Sequence, residues 1–191
     1  MIFATNNSGK LREVREILKG YDIKSLKDVN LEVDVLEDGD TFYDNAYKKA
    51  KYVYDLVGVP VIADDSGLCI DVLDGFPGVM TNRFLGDDAG DKERNFALID
   101  KMKSYTNNDR RVRFICNIVY YDGVNTLVGV GELVGKIADS PKGDAGFGFD
   151  SIFLLDSGKT LAELSMEEKN KCSARYLAIK DLKNKLDNLK L

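Results

Sequence analysis

No histidine occurs anywhere in the 191 residues of this chain. That absence removes Ser-His-Asp and Cys-His catalysis, and imidazole metal sites with them. Acid–base and metal chemistry must therefore fall to carboxylates and lysines. Cysteine is scarce: Cys69, Cys116 and Cys172 form an odd, widely spaced set without a Cys-x-x-Cys. Such a set suits reduced thiols better than a disulfide framework or a zinc site. Only three prolines appear, with no linker-like tract, so residues 1–191 are expected to form a single domain. No apolar run reaches the ~18 residues of a membrane span, and "MIFATNN" is too short and too polar for a signal peptide. A cytoplasmic protein with no membrane partner is expected. Basic excess is missing too: 27 Lys and Arg face 32 Asp and Glu, a formal net charge of −5. A binder of nucleic acid carries a basic face to neutralise phosphates, so that class of partner is disfavoured.

What is present is a chain that is 44% hydrophobic, ample for a buried core, with mixed α/β patterning. Leu11, Val14 and Leu18 recur at helical spacing after a short N-terminal strand, and Gly20 marks a stop. A second helix is predicted from Thr41, striped by Phe42, Ala46, Ala50, Val53 and Val57, with Asp44 as a weak capping-box partner. Val59 to Ala63 reads as a strand ending on Asp64 and Asp65. A third helix is expected around Phe96, Ile99 and Met102. Val112, Phe114, Cys116, Ile118 and Tyr120 alternate ahead of the turn Asp122-Gly123, which predicts a pair of strands. Ile152 to Leu155 reads as one more strand. Thr160 with Glu163 and Ser165 with Glu168 are capping boxes, and Ala178, Leu182, Leu186 and Leu189 stripe a last helix.

Five stretches carry the candidate chemistry. "TNNSGK" (Thr5, Asn6, Asn7, Ser8, Gly9, Lys10) joins the first strand to the first helix in the manner of a phosphate cradle. It is not a Walker A loop, because Ala4 stands five residues before Gly9 and Leu11 follows Lys10. A helix N-terminus and a lysine favour an anion, although Ser8 or Asn7 could simply cap the helix. "LEDGDTF" gathers Glu37, Asp38 and Asp40, hard oxygen donors that suit Mg²⁺ but equally a solvated loop. In "VIADDSGL", Asp64 and Asp65 are placed for chemistry beyond a strand end, while Asp-Asp-Ser-Gly is also good turn composition. "GDAGFGFDSIF" offers glycines that admit a flat ligand, phenylalanines that stack on a base, and Asp150 to accept from a ring N–H. "EEKNKCSARY" supplies Lys169, Lys171, Ser173 and Arg175 at a helix start.

In order along the chain, TNNSGK, an acidic residue before "GDTFYDNAYKKA", "ADDSGL", "DGFPGVMTNRF", "GFGFDSIF" and "EEKNKCSAR" resemble the inosine triphosphate pyrophosphatase family, the non-canonical purine nucleoside triphosphate pyrophosphatases. The resemblance runs from residue 2 to about residue 185. It implies an elongated, two-lobed α/β fold around a long mixed sheet with flanking helices and the active-site cleft between the lobes. It also implies a homodimer and Mg²⁺-dependent hydrolysis of ITP, dITP and XTP to the monophosphate and pyrophosphate. By motif position Thr5, Asn6, Asn7, Ser8, Gly9 and Lys10 would grip the triphosphate, with Lys49 a further phosphate contact. Glu37 and Asp65 would hold the metal, Asp65 would be the general base, and Asp64 stands close enough to share the metal. Ser66 would touch substrate. Phe147, Gly148, Phe149 and Asp150 would frame the base, helped by Lys169 and by Ala174 and Arg175 of the final motif. There the family usually carries Ser-His-Arg, and this chain has Ser173-Ala174-Arg175, an exchange expected to weaken purine affinity or relax discrimination. Rival readings are a pyrophosphatase for pyrimidine or modified nucleotides, and a nucleotide-binding regulator without catalysis.

Overall fold

The computed structural model describes residues 1–86, 88–106 and 109–189. Among these, a six-stranded mixed sheet is flanked by five α-helices. The strands are β1 (Ile2–Phe3), β2 (Lys24–Ser25), β3 (Val61–Ile70), β4 (Arg111–Tyr121), β5 (Thr126–Ile137) and β6 (Phe153–Leu154), arranged in the order β2-β1-β3-β4-β5-β6. β1 runs parallel to both β2 and β3, whereas β5 and β6 are antiparallel. The helices are α1 (Ser8–Ile17), α2 (Phe42–Val57), α3 (Asp91–Lys101), α4 (Met166–Cys172) and α5 (Ala174–Leu189). No helix among the described residues is long and apolar enough to cross a membrane.

The chain divides into two compact units. Unit 1 comprises Met1–Ser66, Cys116–Glu132 and Ala174–Leu191, and unit 2 comprises Gly67–Ile115 and Leu133–Ser173. In unit 1, Ala46, Ala50 and Val53 of α2 pack with Ile2, Val61, Ala63 and Val119 of the sheet. The hydrophobic stripe of α2 is thus the one the sequence spacing predicts, and Thr41 caps it by accepting from Asp44 N. In unit 2, Leu98 and Ile99 of α3 and Met102 at its C-cap pack with Leu68, Ile70, Val112, Ile137 and Phe153. The predicted stripe is off by one position here, since Phe96 is 58% exposed and Asn95 turns inward instead. Facing inward, Asn95 donates to Gly148 O and Ser151 Oγ. The capping box at Ser165 forms in both directions; at Thr160 the backbone N donates to Glu163 Oε2, while the hydroxyl donates to Lys142 O.

The predicted strand Val59 to Ala63 is in fact Val61–Ile70, with all ten residues buried. Asp64 and Asp65 lie inside this strand and do not terminate it. Turn composition is overridden because each polar side chain finds a tertiary partner in the interior. β1, however, pairs with β3 only at Val61 and Ile62, so β3 outruns its neighbour just before the two acids.

α5 lies against β5 within unit 1 at unusually short range. A Cβ on Gly129 would come 2.1 Å from Ala178 O, and one on Gly131 would come 2.0 Å from Ala174 O. Backbone cannot give way as a flexible side chain can, so Gly131→Ala must push the first turn of α5 off the sheet. We expect a loss of roughly 1–3 kcal/mol, read as a fall of about 2–12 °C in Tm by differential scanning calorimetry. An unchanged Tm would refute the close-packing argument.

Candidate active site

The centre of unit 1 is an aspartate pair with opposite environments. Successive strand residues face opposite sides of a sheet. Val61, Ala63 and Asp65 accordingly face α2, while Asp64 and Ser66 face α1 and α5. Asp64 Oδ2 lies 3.0 Å from Lys10 Nζ of α1 and 3.2 Å from Arg175 Nε of α5. Arg175 also donates to Glu13 Oε2 at 2.8 Å and to Ser66 Oγ at 3.4 Å. Burial alone would raise the Asp64 pKa, but the charges of Lys10, Arg175 and Lys49 hold it well below the ordinary carboxylate range. Arg175 is likewise buried against its own charge, and Asp64 and Glu13 keep it above its ordinary value.

Asp65 is the contrasting case. Its Oδ1 accepts from Ser66 N and its Oδ2 from Asn45 Nδ2, each at 2.9 Å. Burial, followed by the charge of Glu37, pushes its pKa up to about 6 against the opposing influence of Asn45 and Lys49. A carboxyl raised in this way accepts a proton more readily than an ordinary aspartate. Asn45 is fixed in turn, because its Oδ1 accepts from Gly39 N at 2.7 Å, so the loop carrying Glu37 and the Asp65 carboxylate share one brace. Lys49 Nζ donates to Glu37 Oε1 and, at 2.9 Å, to the backbone O of Asp64. Burial works against its charge, but Asp64 and Glu37 hold the ammonium above its ordinary pKa. Asp38, also from the acidic loop, pairs with Lys48.

Two features bear on a metal. Among the described residues, no group of three or more Asp, Glu, Cys or His side chains converges as a metal cluster. Asp64 Oδ1, however, is buried without a hydrogen-bond partner. Mg²⁺ takes oxygen ligands, keeps several waters and needs only one or two carboxylates. The donor set of Glu37 and Asp65 therefore suits that ion; Asp64 faces the other side of β3, toward Lys10 and Arg175, and so does not complete that pair. Cys116 is unsuited to thiolate chemistry, since burial pushes its thiol up to about 12.

At the strand–helix loop, Asn7 is the N-cap of α1 and accepts from Gly9 N at 2.9 Å and Lys10 N at 3.1 Å. Thr5 Oγ1 accepts from Asn7 N at 3.1 Å. The capping reading of this loop is therefore realised, and two of the helix-terminal amides are already taken. Lys10 is not a solvated lysine, because it turns inward to Asp64.

Unit 2 holds the other candidate residues. Asp150 Oδ2 accepts from Lys169 Nζ at 2.6 Å and from Phe147 N at 2.8 Å. Lys169 Nζ also sits 4.4 Å from the centroid of the Phe147 ring. Phe147 is 38% exposed, whereas Phe149 is buried at 4% and packs into the core of unit 2. Of the two phenylalanines, Phe147 is the more exposed. Gly146 has φ +82°, and a Cβ there would strike Asp150 Oδ2 at 2.0 Å, so the glycine is needed for the loop to close over the acid.

The arrangement matches known proteins over almost its whole length. The sequence model of the Ham1 family matches residues 1–185. The chain belongs to the Ham1 family. It is 46% identical to a dITP/XTP pyrophosphatase of Dictyoglomus thermophilum, covering 98% of this chain and 94% of that one. Identity to the dITP/XTP pyrophosphatase of Bacillus subtilis is 42%, covering 97% and 96%. Among solved structures, a HAM1 protein from Coxiella burnetii superposes with a TM-score of 0.89 at 36% identity, covering 98% of both chains. These matches bear out the family resemblance read from the motifs, and with it the α/β class.

Within this Ham1-family frame, sequence reasoning missed Glu13 and Asn45. Glu13 follows Lys10 by three positions and so shares its helical face, a signal that was available. Asn45 stands inside the quoted "DNAYKKA", but nothing local marks it as the brace of Asp65. Arg175 is the residue on which the buried charges converge. Arg175→Ala leaves Asp64 and Glu13 buried with less compensation, and a loss of about 3–5 kcal/mol is expected. That corresponds to a fall of roughly 6–20 °C in Tm. Chemical denaturation checks the figure, and a loss below ~1 kcal/mol would show that the network is not structural.

Proposed function

We propose that the chain hydrolyses non-canonical purine nucleoside triphosphates, namely dITP, ITP and XTP, to the monophosphate and pyrophosphate, with Mg²⁺ as cofactor. The observation that carries this reading is the Asp65 carboxylate. It is raised in pKa by burial and by Glu37, it is oriented by Asn45, and it lies in a chain with no histidine. Similarity to dITP/XTP pyrophosphatases at 46% and 42% identity supports the same reaction class.

In this mechanism Asp65 takes a proton from the attacking water while Asn45 keeps the carboxylate aligned. Lys10 and Lys49 offset charge that develops on the phosphoryl oxygens. Thr5, Asn6, Ser8 and Gly9 border the triphosphate, with Asn7 holding the loop in shape and Ser66 adding a contact. Glu37 and Asp65 would hold Mg²⁺, which when bound supplies further neutralisation of the triphosphate. In unit 2, Phe147 offers a stacking face and Asp150 an acceptor for the N1–H of a 6-oxopurine. Lys169 serves as a donor to the 6-oxo oxygen, whereas Arg175 is turned to Asp64, Glu13 and Ser66 within unit 1. Adenine has an amino group and a bare N1 at those positions, and groups left unpaired in this way discriminate by ~10⁴ or more. The reading includes a homodimer acting on the free nucleotide pool of the cytoplasm.

A pyrophosphate-release assay over dITP, ITP, XTP, GTP and ATP tests the reaction. The first three should turn over with pyrophosphate as first product, and orthophosphate as first product would sink the mechanism. Chelation should abolish turnover and added Mg²⁺ restore it. Asp65→Asn should lower kcat by about 10²–10⁴ with KM little changed, and unaltered turnover would exclude Asp65 as the base.

A further inference from the structure

The loop at residues 146–151 is anchored from outside by α3, all within unit 2. Asp91 and Asn95 stand one turn apart and share one face of that helix. Asp91 Oδ2 accepts from Gly148 N at 2.8 Å. Asn95 Nδ2 donates to Gly148 O at 3.0 Å and to Ser151 Oγ at 3.1 Å. The amide and the carbonyl of a single glycine are therefore both fastened to one helix. Gly148 has φ +62° and a Cβ there would meet nothing within 4 Å, so packing does not hold this residue. Without the two side chains a glycine-rich segment would have many conformations to choose from.

Asn95 accepts a cost to make this contact. It is 5% exposed, and its Oδ1 is buried without a hydrogen-bond partner. The opposite amide orientation would set Oδ1 against Gly148 O, so the donor must face the loop. Asp91 is half-exposed and braced by Arg94 at 3.0 Å.

We propose that Asp91 and Asn95 are positioning residues for base selection. By holding Gly148 they set where its neighbours Phe147 and Asp150 stand. A flat 6-oxopurine thus meets a ring face and a carboxylate at fixed spacing. Neither residue touches the nucleotide, since they act through Gly148 and Ser151. The inference rests on the reading that this loop meets the base.

The test is a comparison of kcat and KM for dITP and dATP in the full-length enzyme and in Asp91→Ala, Asp91→Asn and Asn95→Asp. Asp91→Ala and Asn95→Asp should raise KM for dITP about tenfold with kcat within about threefold, and the dITP-over-dATP ratio of kcat/KM should fall about tenfold or more. Asp91→Asn keeps an oxygen acceptor and should stay near wild type in that ratio. Equal losses with both substrates, leaving the ratio intact, would overturn the proposal and make the two residues structural only. A wild-type enzyme that does not prefer dITP would overturn the base-loop reading and this inference together, which separates the two failures. Should Asn95→Asp not fold, Asp91→Ala, altered at a half-exposed position, supplies the same readout.

Discussion

The arrangement of unit 1 depends on one buried charge. Asp64 sits in the middle of β3, 1% exposed, where an uncompensated carboxylate would cost several kcal/mol of desolvation (roughly, after relaxation). It is tolerable only because Lys10 from α1 and Arg175 from α5 reach the same oxygen. The requirement runs outward from there. α1 must begin close enough for Lys10 to arrive, which the Asn7 cap secures. α5 must lie close enough for Arg175, which the bare backbone of Gly129 and Gly131 permits. Glu13 then balances the second cation of the cluster, the Arg175 guanidinium. Strand, two helices and two glycines are therefore chosen together, although they are scattered along the chain.

That scattering explains what the sequence disclosed and what it hid. Local patterns were legible where local physics decides: the α2 stripe, the Thr41 cap, the capping box at Ser165, and the alternation in β4. Asp64-Asp65-Ser66-Gly67 misled because its turn composition is a local preference, while its partners Asn45, Lys10 and Arg175 are distant in sequence. The strand therefore continues where propensity says it should stop. Phe96 misled for a related reason. Hydrophobic spacing alone placed it inward, whereas the inward position is held by Asn95, which bonds the 146–151 loop. Lys10 was recognised as a charge at a helix start, but only the tertiary structure shows it facing Asp64.

The candidate site residues were legible as a set because their order along the chain resembles one family, and as single residues they were ambiguous. Phe147 and Phe149 illustrate the limit. Both are phenylalanines in the same glycine-rich run, and no sequence rule says which belongs to the core. The structure separates them by burial, with Phe149 in the core and Phe147 at 38% exposure beside Lys169.

The chemistry itself follows from strand geometry in a chain without histidine. Two adjacent aspartates would repel if they shared a face, and neither would be suited to a distinct role. Alternation along β3 sends them to opposite sides of the sheet. Asp64 meets cations and stays ionised, while Asp65 meets burial and Glu37 and is pushed up to about 6. Titratable neighbours driven apart in this way can divide labour, one as a fixed charge and one as a proton acceptor. A histidine would deliver a group titrating near neutrality from its intrinsic chemistry. Here the same range is reached by placing an aspartate on the side of the strand that has no arginine.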